Sequence, residues 1–150
     1  MKLFFSLLLP QLSGAIGALF TINSIPTWYA YLNKPPFSPP NWLFGPVWLM
    51  LYLMMGISLY LNWISKKKEA KTNVRIFFIH LFFNLIWTPI FFGAKNLLLA
   101  QYIIIIIWLF IVIMIVKFWK INKISSLLLI PYLLWVSFAT VLNFSIWKLN

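Results

Sequence analysis

The sequence predicts an all-α membrane protein, a five-transmembrane-helix bundle with a proline-rich first loop as its lid. Three observations carry that expectation. Of 150 residues, 63% are hydrophobic and only 9% are charged, about a third of the charge on an ordinary soluble domain and too little to cover a water-soluble protein of this size. The charges gather in short clusters and leave five uncharged stretches, each roughly 20 or more residues long and sufficient to cross a hydrocarbon core as helix. Between the first two stretches, KPPFSPP (34–40) sets four prolines in seven residues.

Backbone groups in lipid must be bonded internally, and none of the stretches alternates with period two, so helices follow rather than barrel strands. The first span, 4–25, lies in the charge-free interval from Lys2 to Lys34. Its opening, MKLFFSLLLPQLSGA, has the order of a signal peptide. The apolar run continues through IGALFTI, which is long for such a core, and it reads as a retained helix. The second span, 43–64, precedes Lys66. The third, 75–93, lies between Arg75 and Lys95, the fourth, 97–117, between Lys95 and Lys117, and the fifth, 125–147, between Lys123 and Lys148. No repeat, linker or low-complexity tract divides the chain, so 1–150 reads as a single membrane unit.

Five spans put the termini on opposite sides. Lys2, Lys66, Lys67, Lys68, Lys71, Arg75, Lys117, Lys120 and Lys123 share one side, and Lys34, Lys95 and Lys148 the other. The positive-inside rule places the N-terminus in the cytoplasm and the C-terminus and proline-rich loop outside. Basic loops of this kind orient helices and meet the anionic headgroups of the lipid bilayer. The formal charge of +11 does not point to nucleic acid, because no polar stretch is long enough to fold separately. Few acids with abundant Ile, Lys and Asn suggest an AT-rich bacterial genome, hence a bacterial cell membrane.

Much conventional chemistry is excluded. Cysteine and aspartate are absent and Glu69 is the only acid. There is no disulfide, thiol nucleophile, carboxylate pair or Ser–His–Asp set. His80, alone in the third span, is a poor metal site and reads as a hydrogen-bonded residue facing the bundle, so no metal is expected. Glu69, beside KKK, reads as a partly neutralised loop charge. The only acid lies in a loop, so the intramembrane carboxylates usual in pumps and transporters are missing.

Aromatic residues are the remaining resource. Trp28, Trp42, Trp63, Trp119 and Trp147 fall near span ends, where indoles form interfacial belts. Trp48, Trp87, Trp108 and Trp135 lie deeper, where an indole N–H wants a partner. Helical spacing sets Trp48 with Tyr52, His80 with Asn84 and Trp87, and Trp135 with Ala139 and Asn143, each group on one stripe. Turned inward, the stripes line a cavity beneath the first loop; the alternative is plain packing by large side chains. Gly14 with Ala18, and Ser13 with Gly17, permit close helix approach. Pro46, Pro89 and Pro131 remove intrahelical bonds and can kink their helices.

WYAYLNKPPFSPPNWLFGPVWLMLY (28–52) closely resembles the first-loop and second-helix signature of the TspO/translocator-protein family, also called tryptophan-rich sensory proteins or peripheral-type benzodiazepine receptors. GAIGALFT (14–21), HLFFNLIWTPIFFGAKN (80–96) and PYLLWVSFATVLNFSIWKLN (131–150) resemble its first, third and fifth helices; the fourth helix and cytoplasmic loops are generic. The resemblance implies a five-helix bundle, often a homodimer, with a pocket capped by the first loop. It implies ligands such as protoporphyrin IX and other porphyrins, isoquinoline carboxamides and benzodiazepines, with cholesterol for animal members. It carries pocket positions over to Tyr29, Trp48, Tyr52, Asn84, Trp87, Trp135 and Ala139. In the lid, Lys34, Pro35, Pro36, Pro39 and Pro40 are stiffened by fixed φ angles; the alternative is a stiff connector without gating. Departures are His80 where the family often has Gln, Ile103 where an acid is common, and Phe144 and Ser145 where the animal cholesterol motif needs a Tyr before its basic residue.

Three functions follow as expectations. The first is a receptor or sensor that binds a porphyrin or other apolar small molecule, needs no cofactor, and has Lys34 near a propionate. The second is an enzyme that degrades the porphyrin under light with Trp48 and Trp135 as electron donors. The third is a transporter, which no inverted repeat or coupling charge supports. A purely structural membrane protein is the bland fourth.

Overall fold

The computed structural model describes residues 1–150, and every regular element is helical. The helices are α1 (Lys2–Ser24), α2 (Phe44–Trp63), α3 (Ala70–Thr88), α4 (Leu97–Trp119), a short α5 (Lys123–Leu127) and α6 (Ile130–Leu149). Two 3-10 turns, Tyr29–Tyr31 and Asn41–Leu43, lie in the first connection, and a π turn, Pro89–Gly93, follows α3. Five spans are long and apolar enough to cross a membrane: Lys2–Ser24, Asn41–Trp63, Ala70–Gly93, Leu97–Trp119 and Lys123–Leu149. The chain is a multi-pass integral membrane protein.

The spans agree with the expected ones in number and order but not in every boundary. The third begins at Ala70, five residues before the expected 75. Lys71 and Arg75 are exposed on its opening turns, so these charges mark where the helix leaves the hydrocarbon, not where it starts. The fifth is interrupted. Pro131 brings no N–H to the carbonyl of Leu127; the chain tightens through Leu129 N–H to Ser126 O at 3.0 Å and resumes with Leu133 N–H to Leu129 O at 2.9 Å. Pro89 is followed by a wider turn, closed by Ala94 N–H to Pro89 O at 2.8 Å. The tight link to α4 uses Lys95 at a φ of 55°, and Asn96 caps α4 by accepting from Leu99 N–H at 2.9 Å.

α1 packs against α2 and α3, and α4 against α3 and α6. Leu49, Met50, Leu53, Phe82, Leu109, Val116 and Leu134 remain on the outside, as expected where lipid is the solvent and helix association rests on close fit and polar links. Met55, Leu59, Phe77, Ile111, Met114, Phe118 and Tyr132 fill the centre. At the basic end, Ser58 Oγ donates to Ser125 O at 2.7 Å and Asn73 Nδ2 to Asn62 Oδ1 at 2.9 Å, tying α2, α3 and α5 together. The α1–α2 seam has its own device. Pro10, inside α1, has no N–H for the carbonyl of Ser6, and Gly56 of α2 lies so close that an added Cβ would stand 2.6 Å from that oxygen.

The basic loops gather at one end. Lys2 Nζ reaches Trp63 O at 3.3 Å, and Lys67 Nζ reaches Lys120 O at 2.8 Å. At the other end the first loop meets the C-terminus: Asn33 N–H donates to Asn150 Oδ1 at 3.0 Å, and Asn150 Nδ2 to Asn33 O at 2.9 Å.

Candidate ligand cavity beneath the first loop

The inward stripes converge. A cavity of about 500 Å³ opens among α1, α2, α3, α4 and α6 on the first-loop side, within the roughly 300–1,000 Å³ usual for small-molecule sites. Tyr29, Trp48, Tyr52, Asn84, Trp87, Trp135 and Ala139 all lie on its wall. No Lys, Arg, His, Asp or Glu does.

Aromatic faces shape the space. Trp48 lies over Tyr52 with ring centroids 5.3 Å apart and meets Tyr132 edge-on at 6.2 Å. Trp87 stacks on Phe91 at 5.0 Å, its indole N–H held by Ala100 O at 3.1 Å. Trp135 packs edge-on against Phe44 at 6.0 Å and tilted against Phe138 at 5.6 Å. The Trp87–Phe91 stack and the edge-on Trp48–Tyr132 and Trp135–Phe44 pairs belong to the set that aromatic quadrupoles favour. Trp108, the fourth deep tryptophan, is not on the wall; its N–H goes to Ser137 Oγ at 2.8 Å.

Asn84 organises the polar floor. Its Oδ1 accepts from Tyr52 OH at 3.1 Å and from Ser13 Oγ at 3.3 Å, and its Nδ2 donates to Tyr132 OH at 2.9 Å. His80 Nε2 lies 2.8 Å from the same Tyr132 oxygen. Since Tyr132 already accepts from Asn84, its own proton is best used toward Nε2, which leaves His80 Nδ1 as the one ring atom without a partner. Two further buried atoms on cavity-wall residues are unpaired, Trp135 Nε1 and Asn143 Oδ1. Asn143 Nδ2 is occupied by Gln101 Oε1 at 2.8 Å and Leu97 O at 3.2 Å. Since Leu97 O can only accept, the amide cannot be turned round, and Oδ1 is the free atom.

The proline-rich loop lies at the end of this space without lining it. Pro35 is buried, Pro39 half-buried, and Pro36 and Pro40 exposed; none is on the wall. Phe37 meets Phe138 edge-on at 6.3 Å, which joins the loop to the Trp135–Phe44 layer. Lys34 is not a free cation at the mouth. Its Nζ donates to Tyr29 O at 2.8 Å, Leu32 O at 3.2 Å and Ala30 O at 3.4 Å, and it sits 4.8 Å from the centre of the Tyr29 ring. Burial pushes the Tyr29 phenol above its ordinary pKa, with the Ser38 side chain offsetting part of the rise, so Tyr29 is a neutral wall residue at physiological pH.

Sequence reasoning missed several wall residues. Gly14, Ala15, Gly17 and Ala18 of α1 line the cavity, although small residues there signal only close helix approach. Ile104 and Ile107 line it from α4, inside an isoleucine run with no pattern to select them. Phe91 comes from the π turn, whose register a regular 3.6-residue period misplaces.

Comparison with known proteins bears on this geometry. The TspO/MBR family model matches residues 6–148. The tryptophan-rich protein TspO of Archaeoglobus fulgidus is 42% identical over 150 residues, covering 100% of this chain and 97% of that protein. The TspO of Chlorobaculum tepidum is 44% identical over 139 residues, with 91% and 88% covered. The human translocator protein is 34% identical over 146 residues, with 95% and 86% covered.

Proposed function

This chain belongs to the TspO/MBR family, and from that premise we propose that it is a membrane receptor or sensor taking a flat, mostly apolar tetrapyrrole such as protoporphyrin IX into the cavity. One observation supports the reading above others: an uncharged cavity of about 500 Å³ walled by Tyr29, Trp48, Tyr52, Trp87 and Trp135. Along α6 the wall runs from Trp135 to Ile146, about 16 Å at the α-helical rise, a length that accommodates an extended ring system. Stacking adds about 0.5–1.5 kcal/mol per aromatic pair beyond burial. Any propionates sit at the mouth in water, since Lys34 is committed to backbone carbonyls. The reading requires no cofactor. It keeps the N-terminus cytoplasmic, for which the basic end of the bundle speaks, and a homodimer as the working assembly.

Both Trp48 and Trp135 face the cavity, which favours a photochemical role over transport as the second reading. One experiment separates the two. Purified protein in detergent is titrated with protoporphyrin IX in the dark, following tryptophan quenching, and then illuminated beside Trp48→Phe/Trp135→Phe. Saturable quenching without a new pigment is the expected result. A new absorbing product that the double variant cannot form would make the chain an enzyme, and absence of saturable quenching would remove the porphyrin reading.

A further inference from the structure

We infer that the cavity is entered sideways from the bilayer, through a gap between α1 and the start of α2, and that it takes up uncharged ligands already dissolved in the hydrocarbon. The inference rests on the ligand-binding reading above and concerns how the ligand arrives. It comes from the exposure of the wall. Of the exposed wall residues, Ala15 belongs to α1, Gly45 and Leu49 to the start of α2, and Asn41 to the 3-10 turn just before it; the wall residues from α3, α4 and α6 are all buried or half-buried. The gap is also lined by the smallest side chains present. Ala15 and Ala18 face it from α1, and a Cβ on Gly45 would meet no atom within 4 Å.

The two helices converge away from the loop and part toward it. At the far end Gly56 lies against the Ser6 carbonyl and Leu7. Nearer the gap, Gly14 admits the Tyr52 ring, which occupies the place an added Cβ would take, and Gln11 Nε2 bonds Leu49 O at 3.2 Å. Above that bridge no hydrogen bond crosses between α1 and α2. Ala15 lies nine residues before the end of α1 at Ser24, about 14 Å below it, and Leu49 about 8 Å below the start of α2 at Phe44. Both depths face acyl chains, given a hydrocarbon core roughly 30 Å thick.

The aqueous end, in contrast, is fastened. The paired Asn33 and Asn150, the three carbonyls on Lys34 and the Phe37–Phe138 contact hold the first loop down. A ligand from water must break these; one from the bilayer meets only Ala15, Gly45 and Leu49. An ionised ligand would have to cross hydrocarbon, which costs several kcal/mol, so the route selects neutral molecules and neutral forms of weak acids.

Two arms test this, both with full-length protein in phosphatidylcholine vesicles. The first follows stopped-flow quenching by protoporphyrin IX dimethyl ester. Ala15→Phe/Gly45→Phe should slow association and dissociation together, by about tenfold or more each, whereas a mere loss of wall contacts would speed dissociation alone. Because the chain has no cysteine, Asn33→Cys/Asn150→Cys can form only one intramolecular disulfide, locking the loop to the C-terminus; it should leave the rates unchanged. The second arm needs no porphyrin. Lipids brominated in their acyl chains should quench Trp48 and Trp135, read as wild type minus Trp48→Phe/Trp135→Phe, and the rim substitutions should remove that share. Slowing by the disulfide with wild-type rates in the rim variant would overturn the inference in favour of entry from water. So would brominated chains that never reach Trp48 or Trp135, or spontaneous Ala15→Cys cross-linking between copies, which would place a second chain over the gap. If the ester fails to bind wild type at equilibrium, the porphyrin reading fails alone and the lipid arm still decides the entrance.

Discussion

Two glycines of α2 should respond to the same substitution with opposite sign. A Cβ on Gly56 would stand 2.6 Å from the Ser6 carbonyl oxygen and 2.9 Å from Leu7 Cα. Both neighbours are backbone of α1 and cannot rotate away, so Gly56→Ala must push the helices apart by several tenths of an ångström. Overpacking of this kind costs about 1–3 kcal/mol. The carbonyl that Pro10 leaves unbonded also loses its Cα–H neighbour, worth about 0.5–1 kcal/mol. Against these stands the roughly 0.5–1 kcal/mol that alanine gains over glycine in a helix. The net expectation is destabilisation by about 0.5–3.5 kcal/mol. At Gly45 no atom lies within 4 Å, so the helix gain acts unopposed and Gly45→Ala should be neutral or stabilising by up to about 1 kcal/mol. Reversible unfolding in mixed micelles, followed by far-UV circular dichroism, measures both. If Gly56→Ala proves as stable as Gly45→Ala, the close seam between α1 and α2 does not exist as described, and the argument for helices that part toward the loop loses its fixed point.

Asn84→Leu should be the most damaging change on the cavity floor. It strips the acceptor from Tyr52 and Ser13, at about 1–3 kcal/mol for each buried group left unpaired, whereas Tyr52→Phe should cost only about 0.5–1.5 kcal/mol; unfolding midpoints in detergent check the difference. Trp135→Phe removes an N–H that has no protein partner. It should therefore leave stability within about 1 kcal/mol, read by the unfolding midpoint in detergent. Lys34→Met should release the carbonyls of Tyr29, Ala30 and Leu32, seen as faster hydrogen exchange over 29–40 with little change in the global midpoint. The same variant should show the wild-type affinity ratio between protoporphyrin IX and its dimethyl ester; a collapse of that ratio would show Lys34 bound to a propionate after all.

The spans were legible because their signal is local. Charge-free length and hydropathy need no knowledge of any other helix, and they yielded five spans in the right order. The boundaries slipped where a local rule had an exception. Lys71 and Arg75 are charged yet helical, and the break before Pro131 splits one apolar run into α5 and α6. At Pro10 the expected span 4–25 and the helix agree. The proline sits within α1 without ending it, and Gly56 lies against the carbonyl that it leaves free.

Spacing placed Trp48 with Tyr52, Asn84 with Trp87, and Trp135 with Ala139, because a 3.6-residue period fixes which side chains share a face. It left open whether those faces meet. That is a matter of helix rotation and tilt, set by fits such as Gly14 against Tyr52 and by hydrogen bonds such as Ser13 to Asn84, whose partners are 71 residues apart. The sequence by itself determined the solvent this chain folds in, the number of crossings, the absence of acid–base machinery and the aromatic supply. Only the tertiary structure decided that the aromatics surround one cavity, that Lys34 is spent on backbone carbonyls, and that the cavity's exposed wall residues lie along α1 and around the start of α2. Composition and period are properties of one segment, whereas a cavity and its opening are properties of the distances between segments.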